Sequence, residues 1–155
     1  MPDVDKQFIF NKMFIGEYKY SLDEKKRLAI PVKFRKEFKA GIVVTRGVDS
    51  CLFIYTLQEW QKLADKISKL PINQANTRAF TRLMLAGAMD AKLDSAGRMM
   101  LPDYLCQYAK IQRKVVITGL YNRLEIWDEV QWANYQKRSE QESQTIAENL
   151  GELGI

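Results

Sequence analysis

The chain has 155 residues, 46% of them hydrophobic, with 24 Lys and Arg against 19 Asp and Glu for a formal net charge of +5. That size and composition suit a globular chain with a buried core, as one domain or two very small ones, and exclude a disordered one. The sequence contains no His, which excludes Ser-His-Asp and Cys-His catalysis and most zinc chemistry.

Residues 1–12 read as a short N-terminal extension. Asp3 and Asp5 precede the short apolar Phe8-Ile9-Phe10, unlike the basic and long apolar regions of a signal peptide. No apolar run approaches membrane-spanning length. From Glu17 to Leu22 the pattern alternates, with Tyr18, Tyr20 and Leu22 on one face and Glu17, Lys19 and Ser21 on the other, as in a half-buried strand. A tight polar turn and the return strand Leu28-Ala29-Ile30 follow. Pro31 then opens a helix to about Phe38, closed by Ala40-Gly41. Ile42–Thr45 and Leu52–Tyr55 are β-rich strands joined by Arg46–Ser50. Thr56-Leu57-Gln58-Glu59 is a capping box, predicting a helix to about Lys69 with Trp60, Leu63, Ala64 and Ile67 on one face and Pro71 as its stop. Gln74–Leu85 predicts a connecting helix.

The same order then returns. Leu22-Asp23-Glu24-Lys25-Lys26-Arg27-Leu28-Ala29-Ile30-Pro31 is answered by Leu93-Asp94-Ser95-Ala96-Gly97-Arg98-Met99-Met100-Leu101-Pro102. Gly87 answers Gly16, Val115-Val116 answers Val43-Val44, Gly119 answers Gly47, and Trp132 answers Trp60. The chain is an internal duplication: a first repeat over residues 13–70, a connecting helix over 71–84, a second repeat over 85–138, and a polar helical tail over 139–155. Two short hairpins cannot cover their own apolar faces, so the copies are expected to pair in one barrel or interleaved sheet, as one compact domain.

Charge divides unequally between the copies. Residues 14–70 hold 12 basic and 7 acidic side chains, whereas residues 85–155 hold 8 and 10. The first turn carries Lys25, Lys26 and Arg27, with Lys19 before it and Lys33, Arg35, Lys36 and Lys39 beyond, a strip more concentrated than solubility requires. Cys51 and Cys106 lack C-x-x-C spacing, so neither a thiolate metal site nor a disulfide framework is suggested, and a reducing, cytosolic compartment is expected.

The paired D-x-x-x-R turns, the opening Met13-Phe14-Ile15-Gly16-Glu17-Tyr18, Gly119-Leu120-Tyr121-Asn122 and Leu124-Glu125-Ile126-Trp127 together resemble the MraZ family of bacterial DNA-binding regulators of the division and cell-wall gene cluster. The resemblance covers residues 13 to about 150. It implies an α+β, mainly β fold: an internally duplicated swapped-hairpin AbrB-like barrel with flanking helices and a C-terminal helix. It also implies a closed homo-oligomeric ring, commonly of eight subunits, bound to direct repeats of double-stranded DNA in its own promoter region, at the nucleoid in the cytoplasm. It implies no cofactor, metal, membrane or small-molecule substrate.

The family's two signatures fall on Asp23–Arg27 and Asp94–Arg98. The family usually has Gly before the Arg; Gly97 keeps it and Lys26 departs. If the turn needs positive φ, Lys26 carries backbone strain that Gly avoids, so either it is retained for charge or the first turn has a different shape. Asp23, Asp94 and Gly97 are read as turn residues, since an acid aimed at phosphate would be repelled. For Arg98, structural pairing and DNA contact stand level. The expected DNA contacts are Arg27 at a base edge, Lys25 and Lys26 on the backbone, and Lys19, Lys33 and Arg98 beside them. On this reading the first turn enters the groove and the second chiefly serves the fold.

Trp60, Trp127 and Trp132 are read as core rather than base-stacking platforms, Arg78 and Arg82 as a solvent face, and the acidic C-terminal helix as a packing and spacing element. An enzyme would have to use Asp23 with Arg27 or Asp94 with Arg98, and no His, metal-ligand spacing, phosphate loop or activated nucleophile accompanies them; no catalytic residue is assigned. The competing class is a ring-forming structural or protein-interaction module with only non-specific DNA binding.

Overall fold

The period-two pattern near the start of the chain becomes strand β1 (Phe14–Ser21), with Tyr18 and Tyr20 half-buried and Glu17, Lys19 and Ser21 exposed. The computed structural model describes residues 13–154, so the predicted extension lies outside the described residues. The further strands are β2 (Arg27–Ala29), β3 (Ile42–Arg46), β4 (Leu52–Thr56), β5 (Met89–Ala91), β6 (Arg98–Met100), β7 (Lys114–Tyr121) and β8 (Leu124–Asp128). The helices are α1 (Leu57–Ser68), α2 (Ala75–Thr81), α3 (Asp103–Tyr108), α4 (Glu129–Gln141) and α5 (Ser143–Asn149), with a 3-10 helix at Val32–Phe38 and a π-helical turn at Arg82–Ala86. No helix among the described residues is long and apolar enough to cross a membrane.

Each copy lends its first strand to the other. Six antiparallel strands form one sheet in the order β1-β7-β8-β4-β3-β5, while β2 pairs only with β6. β1 lies along β7, from Phe14↔Tyr121 to Ser21↔Lys114, and β5 along β3, from Ile42↔Ala91 to Val44↔Met89. The strands flanking each D-x-x-x-R turn therefore pair with the other copy and not with each other. This is the swapped, duplicated α+β arrangement that the resemblance implies. Its two-fold relation shows in the registers: β4 and β8 pair about Phe53↔Glu125, and β2 and β6 about Leu28↔Met99. The exchange demands close backbone approach at Gly119, where a Cβ would stand 2.4 Å from the Ile15 nitrogen.

The sheet has a buried face on each side, which explains why β4 and β8 read as nearly continuous apolar runs. On one side Phe14, Ile42, Val44, Leu52, Ile54, Val115, Ile117, Leu124 and Ile126 meet Leu28, Ile30, Met99 and Leu101 from the β2–β6 ribbon and its flanks. Phe34 and Phe38 of the 3-10 helix join them. Their rings lie 5.1 and 5.5 Å from that of Phe14, and Phe34 lies 5.4 Å from Tyr18. On the other side Phe53, Tyr55 and Trp127 pack against Ile67, Met84, Trp60, Trp132 and Tyr135. All three tryptophans thus serve packing, with Trp127 and Trp132 rings 5.3 Å apart.

Three local expectations are refined. The helix after Pro31 is 3-10, closed by bonds such as Phe34 N–H to Pro31 O at 2.9 Å, with Pro31 as its N-cap. Thr56 caps α1 as expected, accepting from Glu59 N–H at 3.2 Å, but the Glu59 carboxylate pairs with Lys62 rather than reaching back. The connecting helix widens to a π-turn where the buried Thr45 hydroxyl donates to Met84 O at 2.6 Å, drawing that carbonyl toward β3. The C-terminal tail is helical and bends at Glu142 between α4 and α5.

Candidate nucleic-acid interface

The β2–β6 ribbon places its residues by strand alternation. Leu28 and Met99 point into the core, so Arg27, Ala29, Arg98 and Met100 occupy the outer face, where Met100 is 63% exposed. Both signature arginines therefore share one surface, and each stands at the mouth of its own turn.

The two turns match bond for bond. Asp23 Oδ1 accepts from Lys25 N–H at 2.9 Å and Arg27 N–H at 2.8 Å, and its Oδ2 accepts from Arg27 Nε at 2.6 Å. Asp94 Oδ1 accepts from Ala96 and Arg98 N–H, both at 2.9 Å, and its Oδ2 from Arg98 Nε at 3.1 Å. Lys26 N–H bonds Asp23 O at 3.0 Å, and Gly97 N–H bonds Asp94 O at 2.9 Å. The backbone N–H of Arg27 leads in holding the Asp23 carboxyl below its ordinary value, as that of Arg98 does for Asp94. Asp23, Asp94 and Gly97, expected as turn residues, lie within these two turns.

Each Asp grips its arginine through Nε, which leaves both terminal nitrogens of Arg27, and Nη2 of Arg98, clear of these bonds as donors. Arg98 also leans across the ribbon, with Nη1 3.7 Å from Asp23 Oδ2. The side chains of Arg27 and Arg98 stay 32% and 34% exposed. Such a face can donate bidentately to a base edge without rebuilding itself.

The two turns differ at the residue before the arginine. Lys26 has φ +58° and Gly97 φ +74°; the first turn keeps the shape of the second, with Lys in the left-handed conformation. What differs lies above each. Over Gly97 sits the Arg35 guanidinium, whose Nε donates to Ile30 O at 2.8 Å; a Cβ on Gly97 would stand 2.3 Å from that nitrogen. The residue corresponding to Arg35 in the second copy is Cys106, which is small and leaves room for the Lys26 side chain. Lys26 Nζ bonds Asp103 Oδ1, and this bond leads in raising the lysine's pKa. Burial pushes the Cys106 thiol up, so it stays a neutral neighbour.

The other expected contacts divide. Lys25 sits exposed in the first turn, and Lys33 sits exposed on the 3-10 helix that follows β2. Lys19 is set apart: it shares the sheet face of Glu17, which accepts from Trp132 Nε1 at 3.4 Å and Gln136 Nε2 at 3.0 Å, on the side away from the ribbon. Arg78 donates to Ile72 O at 2.9 Å. Sequence reasoning missed Asp103 as the partner of Lys26 and Arg35 as the lid on Gly97. Only the exchange between copies, which sets each turn against the other copy's helix, reveals them. No cluster of three or more metal-ligating side chains occurs among the described residues.

Comparison with known proteins agrees with the duplication. The chain matches the family described as "MraZ protein, putative antitoxin-like" twice, over residues 13–83 and 84–152. It is 45% identical over 143 residues to a protein of Natranaerobius thermophilus named "Transcriptional regulator MraZ", covering 92% of this chain and 100% of that one. Proteins of the same name from Halothermothrix orenii and Pediococcus pentosaceus are each 44% identical over the same shares. The chain belongs to the MraZ family.

Proposed function

We propose that this chain is a sequence-specific DNA-binding transcriptional regulator, not an enzyme, that binds direct repeats upstream of its own operon in the division and cell-wall gene cluster. The observation that carries this reading is the outer ribbon face, on which Arg27 and Arg98, both part-exposed, are each held through Nε by an aspartate. The relatives named as transcriptional regulators support it.

A two-stranded ribbon fits the major groove, where arginine donates bidentately to guanine O6 and N7 while lysines rest on phosphate. Arg27 and Arg98 read base edges, and Lys25 and Lys26 set the ribbon on the backbone. The chain acts as a homo-oligomeric ring, commonly of eight subunits in the family it resembles. Neighbours in a ring face the same way round the axis, so several ribbons engage sites repeated in one direction, at steps of roughly 10 bp. Each ribbon binds weakly alone, and linkage raises avidity by about 10²–10⁴. Straight DNA cannot follow a closed ring, so DNA bends or the ring opens.

A gel shift on the DNA immediately upstream of the gene, with scrambled DNA as control, tests the reading. Salt-sensitive binding that prefers the upstream duplex is expected. Equal retention of both duplexes would leave a ring-forming interaction module in its place.

A further inference from the structure

The Asp23–Arg27 turn brings its own cations to one end of the ribbon, whereas the Asp94–Arg98 turn, Ser95-Ala96-Gly97 before its arginine, has none to spare. The structure supplies them from another element. The 3-10 helix eclipses residues three apart, so Lys33, Lys36 and the C-cap Lys39 stand on one ridge, about 6 Å between neighbours at 2 Å per residue. Phe34 and Phe38, both 1% exposed, pin that helix to the core and leave the lysines outward. Lys36, Lys39 and Arg35 line a groove whose other wall is the second turn, at Asp94, Ser95 and Gly97.

Among the described residues no carboxylate lies within ion-pair distance of Lys33, Arg35, Lys36 or Lys39. Asp94 is committed to Ala96 and Arg98. Glu37 faces a different groove, with Met13, Phe14 and Ala40. An exposed single-sign cluster repels itself and favours a polyanion that spreads charge along it.

Resting on the reading of the ribbon as a groove-binding element, we infer that Arg35, Lys36 and Lys39, continuing from Lys33, form a second phosphate-binding site at the Gly97 end of the ribbon. Lys25, beside the Asp103-paired Lys26, holds one DNA strand and this ridge holds the other. β2 and β6 start at opposite ends of their ladder, which bonds from Leu101 N–H to Lys26 O and from Ile30 N–H to Gly97 O extend to the turns, so Lys26 and Gly97 stand four residues apart along it, about 13 Å at 3.3 Å per residue. The major groove is about 12 Å wide, so cations at the two ends bracket it while Arg27 and Arg98 face its floor. The first repeat therefore supplies backbone contacts at both ends.

The test uses the full chain and a duplex of the upstream DNA, with scrambled DNA beside it. Lys36→Ala/Lys39→Ala should make the slope of log K against log salt shallower by about 2, at roughly 0.9 per phosphate contact, with the preference for upstream over scrambled DNA unchanged. Lys36→Arg/Lys39→Arg should restore the slope. In phosphate ethylation interference, Lys36→Ala/Lys39→Ala should erase sites on one strand and Lys25→Ala sites on the opposite strand. An unchanged slope in the double variant, or loss of the same phosphates as Lys25→Ala, overturns the inference while the ribbon reading stands. A wild-type chain that does not prefer the upstream duplex overturns both.

Discussion

The two D-x-x-x-R turns are the same loop in two electrostatic settings. Asp23 and Asp94 make the same hydrogen bonds, and the residue before each arginine has positive φ in both. The first turn has a lysine there, because the other copy opposes it with Asp103 and the small Cys106. The second has glycine, because Arg35 occupies the space a side chain would need. Conformation is thus shared, and charge is redistributed: what the first turn carries itself, the second receives from the 3-10 helix beside it.

If the turns are partners on the DNA, Arg27→Ala and Arg98→Ala should each weaken preference for the upstream duplex by about 5- to 150-fold, the 1–3 kcal/mol of one bidentate base contact. Competition gel shifts would measure this. A variant Arg98→Ala that loses thermal stability but keeps its preference would return the second turn to a purely structural role.

The steric half of the comparison breaks at Gly97. Gly97→Lys makes the turns equal in sequence but must displace Arg35 and its bond to Ile30 O. It should cost about 2 kcal/mol, roughly 1 for left-handed backbone strain and 1 for the lost hydrogen bond. Denaturant unfolding reads the loss, and adding Arg35→Ala should recover part of it in a double-mutant cycle. Simple additivity would show that Arg35 does not set the identity of residue 97.

The smallest effect belongs to Lys26. Lys26→Ala should shallow the salt slope by about 1 and leave site preference intact. An unchanged slope would mean that its pairing with Asp103 is structural and that Lys25 carries the first-turn contact alone.

The recurrence of one motif along the chain made the duplication legible, and sequence period and turn chemistry did the same for the strand faces and both aspartate turns, which depend on residues within one turn or one strand of one another. The same spacing rules placed Thr56 as a cap and the tryptophans in packing. They misplaced Lys19 relative to the ribbon, because a strand whose two faces are both occupied does not say which face shares a surface with a distant turn. They also treated Lys33, Lys36 and Lys39 as a strip along the chain, whereas the 3-10 winding stacks them on one ridge.

By itself, the amino-acid sequence determined that two copies of one unit exist, that each bears a D-x-x-x-R turn, and that positive charge gathers in the first. Only the tertiary structure decided that both arginines share one ribbon face, that Lys26 meets Asp103, and that Arg35 covers Gly97. The physical reason is the strand exchange. Local hydrogen bonds shape each turn from within, but the swapped pairing of β1 with β7, β5 with β3 and β2 with β6 chooses its neighbours from the opposite copy. Those neighbours lie far away in sequence, and no local pattern records them.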